Sequence, residues 1–471
     1  MSFSRLWLFM AVGLPALAAL IAPMSTVDLT YHMRAGSEIL ATAVIPTADT
    51  WTFSVAGLPW VDQQWGAQVV FALTERIGGW TGIVLLRAAL TGLVFACVYL
   101  IGRRHGLDAR IAGLLSLIAF LVASPAMAMR PQLLGMACFA LVLLLVADRR
   151  AHPGRLWLAP IVIAVWANLH GSFFLGPVVL GLAWFEDVYD GVPRPHRVLW
   201  VALTAVAAAC LTPFGPFVWT YAVGLSTNPE VTARITEWQP TSLRTAPGIL
   251  FYGSVLAVLL LIARRGRRVP WPALATLTVF ILVGIYAERG VAWWPLAAAA
   301  AIAGADLLPR LPERGSEPVT VRRLNAVLAG ALVVAAVAAL PLWRPLDPGT
   351  GVPAGMLTDA PSQITAELRD TGGVGDHVFH PQGWGSWFEY AIPDRLTVLD
   401  SRIELFPPEI WRAYEQVAFG ADGWQEQLDR WDVATVVVDA RDTAFAARLT
   451  EAGWREAHRD EDGFVFRESA P

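Results

Sequence analysis

Eleven stretches of this chain are apolar for long enough to cross, or nearly cross, a lipid bilayer, and few folds accommodate that. A spanning helix needs about 20 predominantly apolar residues. The runs are 6–24, 81–101, 110–126, 131–147, 156–169, 171–187, 198–214, 247–263, 270–287, 290–307 and 324–343. Inside hydrocarbon every backbone polar group must be satisfied within the segment, so such runs are read as helices. Only 16% of the 471 residues are charged and mean hydropathy is +0.50, where a soluble domain carries about a quarter charged residues. The fifth and sixth runs abut at Asn168-Leu169-His170-Gly171-Ser172. They read either as a broken hairpin or as one long span with a polar cluster inside it. The first run is expected to be a retained span, since it is longer than the apolar core of a signal peptide and Ala-Pro-Met-Ser makes a poor cleavage site.

Charge is unevenly placed. From Arg344 onward there are 11 Arg against 23 acidic residues, while Met1 to Trp343 carries 24 Arg against 16. Two regions with different solvents therefore join near residue 343: residues 1–343 as the membrane part, with a long outer loop at 25–80, and residues 344–471 as a soluble domain. Every basic residue is Arg. Arg103, Arg104 and Arg110; Arg149, Arg150 and Arg155; Arg194 and Arg197; Arg264, Arg265, Arg267 and Arg268; and Arg310, Arg314, Arg322 and Arg323 occupy alternate loops. The positive-inside rule puts those loops in the cytoplasm. The N-terminus is then expected inside, and the C-terminal domain outside with the first loop. Cys97, Cys138 and Cys210 all lie in apolar runs, so no disulfide is available to the tail.

Within the first loop, 64–77 reads as an amphipathic helix at the membrane interface, with Trp60 and Trp65 at headgroup level. In the tail, 364–368, 408–418, 424–431 and 444–452 read as helices. The stretches 377–379, 397–399, 435–438 and 463–466 read as strands. That alternation predicts one small α/β domain.

Polar residues at the mouths of spans are the functional candidates, because charge there is costly to desolvate. Just past the first span comes Asp28-Leu29-Thr30-Tyr31-His32-Met33-Arg34. Asp28 reads as a catalytic carboxylate or as the N-cap of a helix through 31–40, two compatible roles. His32, one helical turn on, acts directly or orients that carboxylate. Arg130 precedes Pro131 and Gln132 at the start of a span, on an otherwise Arg-poor side. His170 reads as a ligand-binding or a core histidine. Arg289 reads as a binding group, or Glu288-Arg289 as a self-paired turn. Glu237 carries Trp238 beside it, and an indole can stack on a sugar face. Asp400-Ser401-Arg402 follows a predicted strand, where α/β domains place sites; an internal salt bridge fixing the tail to the membrane part is the other reading.

The order of Asp28 to His32 after the first span, Ile45-Pro46, Asp49 to Ser54, and Trp60 to Trp65 resembles the GT-C superfamily of membrane glycosyltransferases. Arg130-Pro131-Gln132, Asn168 to Ser172, Glu237-Trp238 and Asp400 to Leu405 resemble islands of bacterial members whose acceptors are unassigned. The resemblance implies an α-helical polytopic protein of about 11 spans in the bacterial inner membrane, with a small extracytoplasmic α/β domain. It implies a sugar carried on a polyprenyl phosphate and moved to an outer-face glycan, lipid or protein. Asp28 and His32 would be catalytic, and Arg130, Gln132, His170, Glu237, Trp238 and Arg289 would bind substrate and phosphate. Arg234 is a further candidate partner for the phosphate. Many members place two adjacent acidic residues in the first loop; here Leu29 follows Asp28. A divalent cation, magnesium or manganese, would therefore find one carboxylate there, and no other metal cluster is evident. A flippase for lipid-linked substrates and a non-catalytic envelope scaffold are the competing readings. No phosphate-cradling Gly-rich loop and no basic nucleic-acid face occurs.

Overall fold

The computed structural model describes residues 1–265, 269–311 and 318–468. Arg267, Arg268 and Arg314, used above for orientation, lie outside the described residues. The protein is mostly helical. It divides into two compact units, one of 1–22 with 84–340 and the other of 23–83 with 341–471.

The first unit is a helical bundle. Among the described residues seven helices are long and apolar enough to cross a membrane: Phe3–Ile21, Trp65–Arg104, Ala109–Ala126, Pro131–Asp148, Gly171–Tyr189, Ala246–Arg265 and Val319–Ala338. Three shorter apolar helices, Arg155–Leu169, His196–Ala208 and Trp271–Tyr286, accompany them. Proline opens several of these, as at Pro131, Pro160 and Pro272, where a missing N–H leaves no bond unmade. Asp108 caps Ala109–Ala123 by accepting from the amides of Arg110 and Ile111. The helix Pro131–Asp148 is largely enclosed by its neighbours, whereas Val319–Ala338 presents nearly all its surface outward. Exposed Val327, Val334 and Leu328 on the latter form the kind of apolar face that lipid solvates. The fifth and sixth apolar runs are two separate helices, parted where His170 adopts extended φ/ψ of −162° and 141°.

The second unit combines the first loop with the tail. Its five-stranded sheet runs β4-β3-β5-β7-β6, where β3 is His377–Phe379, β4 Leu396–Thr397, β5 Val433–Asp439, β6 Arg455–Arg459 and β7 Gly463–Arg467. β3 pairs parallel with β4 and β5, and β7 pairs antiparallel with β5 and β6. A second, two-stranded sheet joins β1, Met24–Ser25, in parallel to β2, Leu357–Thr358. Thr52 bridges Thr397 in the same sense. The loop between Thr47 and Trp60 closes as a hairpin through Asp49 N–H to Leu58 O and Trp60 N–H to Thr47 O. The helix predicted at 64–77 is present and begins at Trp65; its regular path breaks at Gly79, with φ of 56° and ψ of −155°. Gly36 lies so close to that helix that a Cβ would sit 2.0 Å from the Gln68 carbonyl oxygen. Only glycine permits such backbone approach.

Candidate functional site

In the helical unit, Pro131 sets the local geometry. The residue before proline is pushed to extended conformations, and Arg130 has φ of −138° and ψ of 161°. Its side chain therefore leaves the helix at the N-terminus, the end that favours anions. Arg130 Nη1 meets Glu237 Oε1 at 2.5 Å. Glu237 and Trp238 form one short turn, Thr236–Trp238, and Arg289 comes from another, Glu288–Ala292. The Arg289 guanidinium lies 4.6 Å from the centre of the Trp238 ring, a cation–π distance. Gln132 Nε2 donates to the Arg289 carbonyl at 3.2 Å. Five of the six predicted binding residues thus meet in one place, and a cavity of about 140 Å³ lies among Arg130, Gln132, Glu237, Glu288 and Arg289.

Glu288, missed as a site residue, accepts from Thr245 Oγ1 at 2.6 Å and donates its amide to Gln239 O. These bonds pin the two turns together. His170 packs against the same central helix: a Cβ on Gly135 would lie 3.3 Å from His170 Cβ. Its Nδ1 sits 2.6 Å from Ser172 Oγ and accepts from Ser172 N–H. His170 therefore caps the turn that separates its two helices and does not line the cavity. Arg234 pairs with Glu230 at 3.0 Å within its own short helix.

The second unit holds Asp28 and His32. The helix is Thr26–Thr42, and Ser25, accepting from Val27 N–H, is its N-cap. The capping role considered for Asp28 is therefore corrected: Asp28 lies inside the first turn, because the helix starts five residues earlier than the apolar pattern indicated. A carboxylate there complements the helix dipole. His32 is buried, with its ring 3.9 Å from Tyr31 and edge-on to Phe71. Burial raises the Tyr31 hydroxyl well above its ordinary value, and the charges of Asp28, Glu404, Asp400 and Asp62 add to the rise. Asp28 thus belongs to an acidic face that includes Glu404 and Asp62, neither foreseen as a site residue.

Asp62 accepts from Gln68 Nε2 at 2.6 Å. Burial lifts its carboxyl from 3.8 to about 7. A raised folded value means the folded state holds the proton longer than the unfolded chain, so this group lowers stability as pH rises from about 4 to about 7. Asp62→Asn, which keeps the acceptor for Gln68, is expected to flatten that decline. Apparent melting temperatures of the two proteins at pH 5 and pH 8 check it.

Asp49, Asp400 and Arg402 form a second, fully buried cluster. Arg402 Nη2 contacts Asp49 Oδ1 at 2.6 Å and Asp400 Oδ2 at 2.5 Å. Its guanidinium packs against both Trp51 and Trp60, at 4.3 and 4.6 Å from the ring centres, and the two indoles meet edge-to-face at 5.3 Å. The anticipated salt bridge of Arg402 is present, and its distant partner is Asp49 of the first loop.

No family model matches the chain, and no curated protein matches it at a significant level. Solved structures do match. The oligosaccharyltransferase AglB from Archaeoglobus fulgidus, in complex with an inhibitory peptide and a dolichol-phosphate, aligns over 99% of this chain and 75% of its own, with TM-score 0.57 and 13% identity. ArnT from Cupriavidus metallidurans bound to undecaprenyl phosphate aligns over 100% of this chain and 99% of its own, with TM-score 0.52 and 16% identity. The chain shares the fold of these two proteins. Its helical unit sets Arg130 and Arg289 around one cavity, and its other unit carries Asp28 and Tyr31 on one helix. Among the described residues no three His, Cys, Asp or Glu side chains gather to hold a metal ion.

Proposed function

We propose that this protein is an integral-membrane glycosyltransferase that moves a sugar from a polyprenyl-phosphate donor to a glycan, lipid or protein acceptor on the outer face of the bacterial inner membrane. The observation that carries the reading is the convergence of Arg130, Gln132 and Arg289 on one cavity, with Trp238 packed against Arg289, within a GT-C fold. A lipid phosphate leaving the anomeric carbon carries developing negative charge, and guanidinium groups meet phosphate oxygens bidentately. Arg289 is oriented for this by the Trp238 ring. Asp28 takes the proton from the acceptor as the new bond forms, and His32, one turn further along the helix, orients it. No step of the proposal runs through a cation.

The test is turnover by the purified full chain in nanodiscs, given a panel of radiolabelled polyprenyl-phosphate sugars and scored for sugar release. Release from one donor class supports the reading. Failure with every donor, alongside movement of a labelled lipid between leaflets, turns the assignment to the flippase. Glu237 holds Arg130 before the phosphate arrives, so Glu237→Gln is expected to tighten polyprenyl phosphate binding by about two- to fivefold, the 0.2–1 kcal/mol of a partly exposed pair. Competition by unlabelled polyprenyl phosphate against the donor measures it.

A further inference from the structure

The helical unit has a second cavity, at the end of the bundle opposite Arg130. The central helix Pro131–Asp148 is 18 residues long and so spans about 27 Å, and the second cavity lies beside its last turns, at Leu143, Val146 and Ala147. Its volume is about 160 Å³. The walls are apolar, with Leu143, Val179 and Ala300, and the rim is charged, with Arg150, Glu186 and Asp190. Arg150 Nη2 contacts Asp190 at 2.7 Å and Glu186 at 3.2 Å, while its Nε donates to Asp187 at 3.0 Å. Arg149 is buried against Asp187 at 2.8 Å. Three carboxylates thus face two guanidinium groups. The cavity lining itself holds Arg149 and Arg150 against Glu186 and Asp190, so its formal charges balance and both signs stand within reach. Beside it, exposed Phe185, Tyr189 and Trp271 face outward, and Tyr189 and Trp271 meet edge-to-face at 5.6 Å. Paired aromatics of this kind sit at headgroup level in membranes.

We propose that this cavity binds the headgroup of a zwitterionic phospholipid. Its ammonium lies against Glu186 and Asp190, its phosphate against Arg150, and its acyl chains run along the exposed apolar face. The size decides against chains inside: about 160 Å³ suits a phosphoethanolamine group and no more. The charge balance decides for a zwitterion, because the lining holds no surplus of positive charge for an anionic lipid, whereas basic pockets between helices take anionic headgroups. The site is separate from the proposed reaction and does not depend on it.

Native mass spectrometry of the detergent-purified full chain, with equimolar phosphatidylethanolamine and phosphatidylglycerol, tests the proposal. Phosphatidylethanolamine is expected to be retained at least fivefold over phosphatidylglycerol. The double variant Glu186→Gln, Asp190→Asn should lose that preference. Ala300→Phe, which fills the wall and leaves every charge in place, should lose retention while its lipid-free melting temperature stays at the wild-type value. Equal retention of both lipids, preference for the anionic one, or unchanged retention by well-folded Ala300→Phe would overturn it.

Discussion

Replacing Asp28 by Asn is expected to cut sugar release by about 10²–10⁴-fold, the range for loss of a positioned general base. The substitution keeps size and hydrogen bonding, and Ser25 still caps the helix, so the fold should survive. Loss of the first-turn carboxylate removes only a favourable dipole interaction of about 0.3–1 kcal/mol. Donor binding is expected to stay within twofold of wild type, because phosphate is met by Arg130 and Arg289 and not by Asp28. Turnover and donor affinity measured on the same nanodisc preparation separate the two effects. Equal turnover in both proteins would take Asp28 out of the chemistry and direct attention to His32, Glu237 and the acidic neighbours Glu404 and Asp62.

Arg402→Ala should destabilise the second unit by about 3–5 kcal/mol, the cost of stranding buried charge. Asp49 and Asp400 would be left buried without their cation, and Trp51 and Trp60 would lose the guanidinium packed against both rings. Burial and the neighbouring Asp400 charge hold the Glu389 carboxyl well above its ordinary value. Burial works against ionisation of Asp400 too, but Arg402 overrides it and holds that carboxyl below the usual range. Without Arg402 that balance fails and the site can be neutral only by taking up protons. Arg402→Lys should recover part of the loss, since an ammonium cannot form the same fork. Neutralising the whole cluster, Arg402→Met with Asp49→Asn and Asp400→Asn, should recover most of it. Limited proteolysis of the tail and apparent melting temperature report all three.

Much of the architecture was legible because hydrocarbon imposes length and composition on a helix. The runs 131–147 and 247–263 fall within one or two residues of Pro131–Asp148 and Ala246–Arg265. In the tail, Pro408–Ala418 and His377–Phe379 match their predicted bounds. The strand β6 was not legible: Arg-Glu-Ala-His-Arg has neither β-branched residues nor an apolar face, and it is a strand because β7 pairs with it at the sheet edge. Helix Gly385–Ala391 begins with Gly and Ser, poor helix formers, and gave no periodic signal in seven residues. Of the site, Arg130 was found as a lone charge at a span mouth, Glu237 through the indole beside it, and Arg289 within the pair Glu288-Arg289. That Glu237 pairs with Arg130 across 107 residues, or that Glu288 pins the turns, is a matter of tertiary contact that no local pattern encodes. Asp62 and Glu404 escaped because an acidic residue in an aqueous loop carries no signal until its burial or its neighbours are known.

The β1–β2 pairing also sets a schedule for biogenesis. The second unit is assembled from two pieces separated by the whole of residues 84–340, and Arg402 reaches Asp49 across 353 positions. At about 5–20 residues per second, ribosomes need on the order of 20–70 s to bridge that interval. For that time the early segment, with Trp51, Trp60 and Asp49 destined for burial, exists without the strand, cation and helix that complete it. A nascent chain stalled before the tail would display unpaired β1 edge and bare indole rings, which makes the early segment a substrate for chaperones and a degradation signal for the unfinished protein.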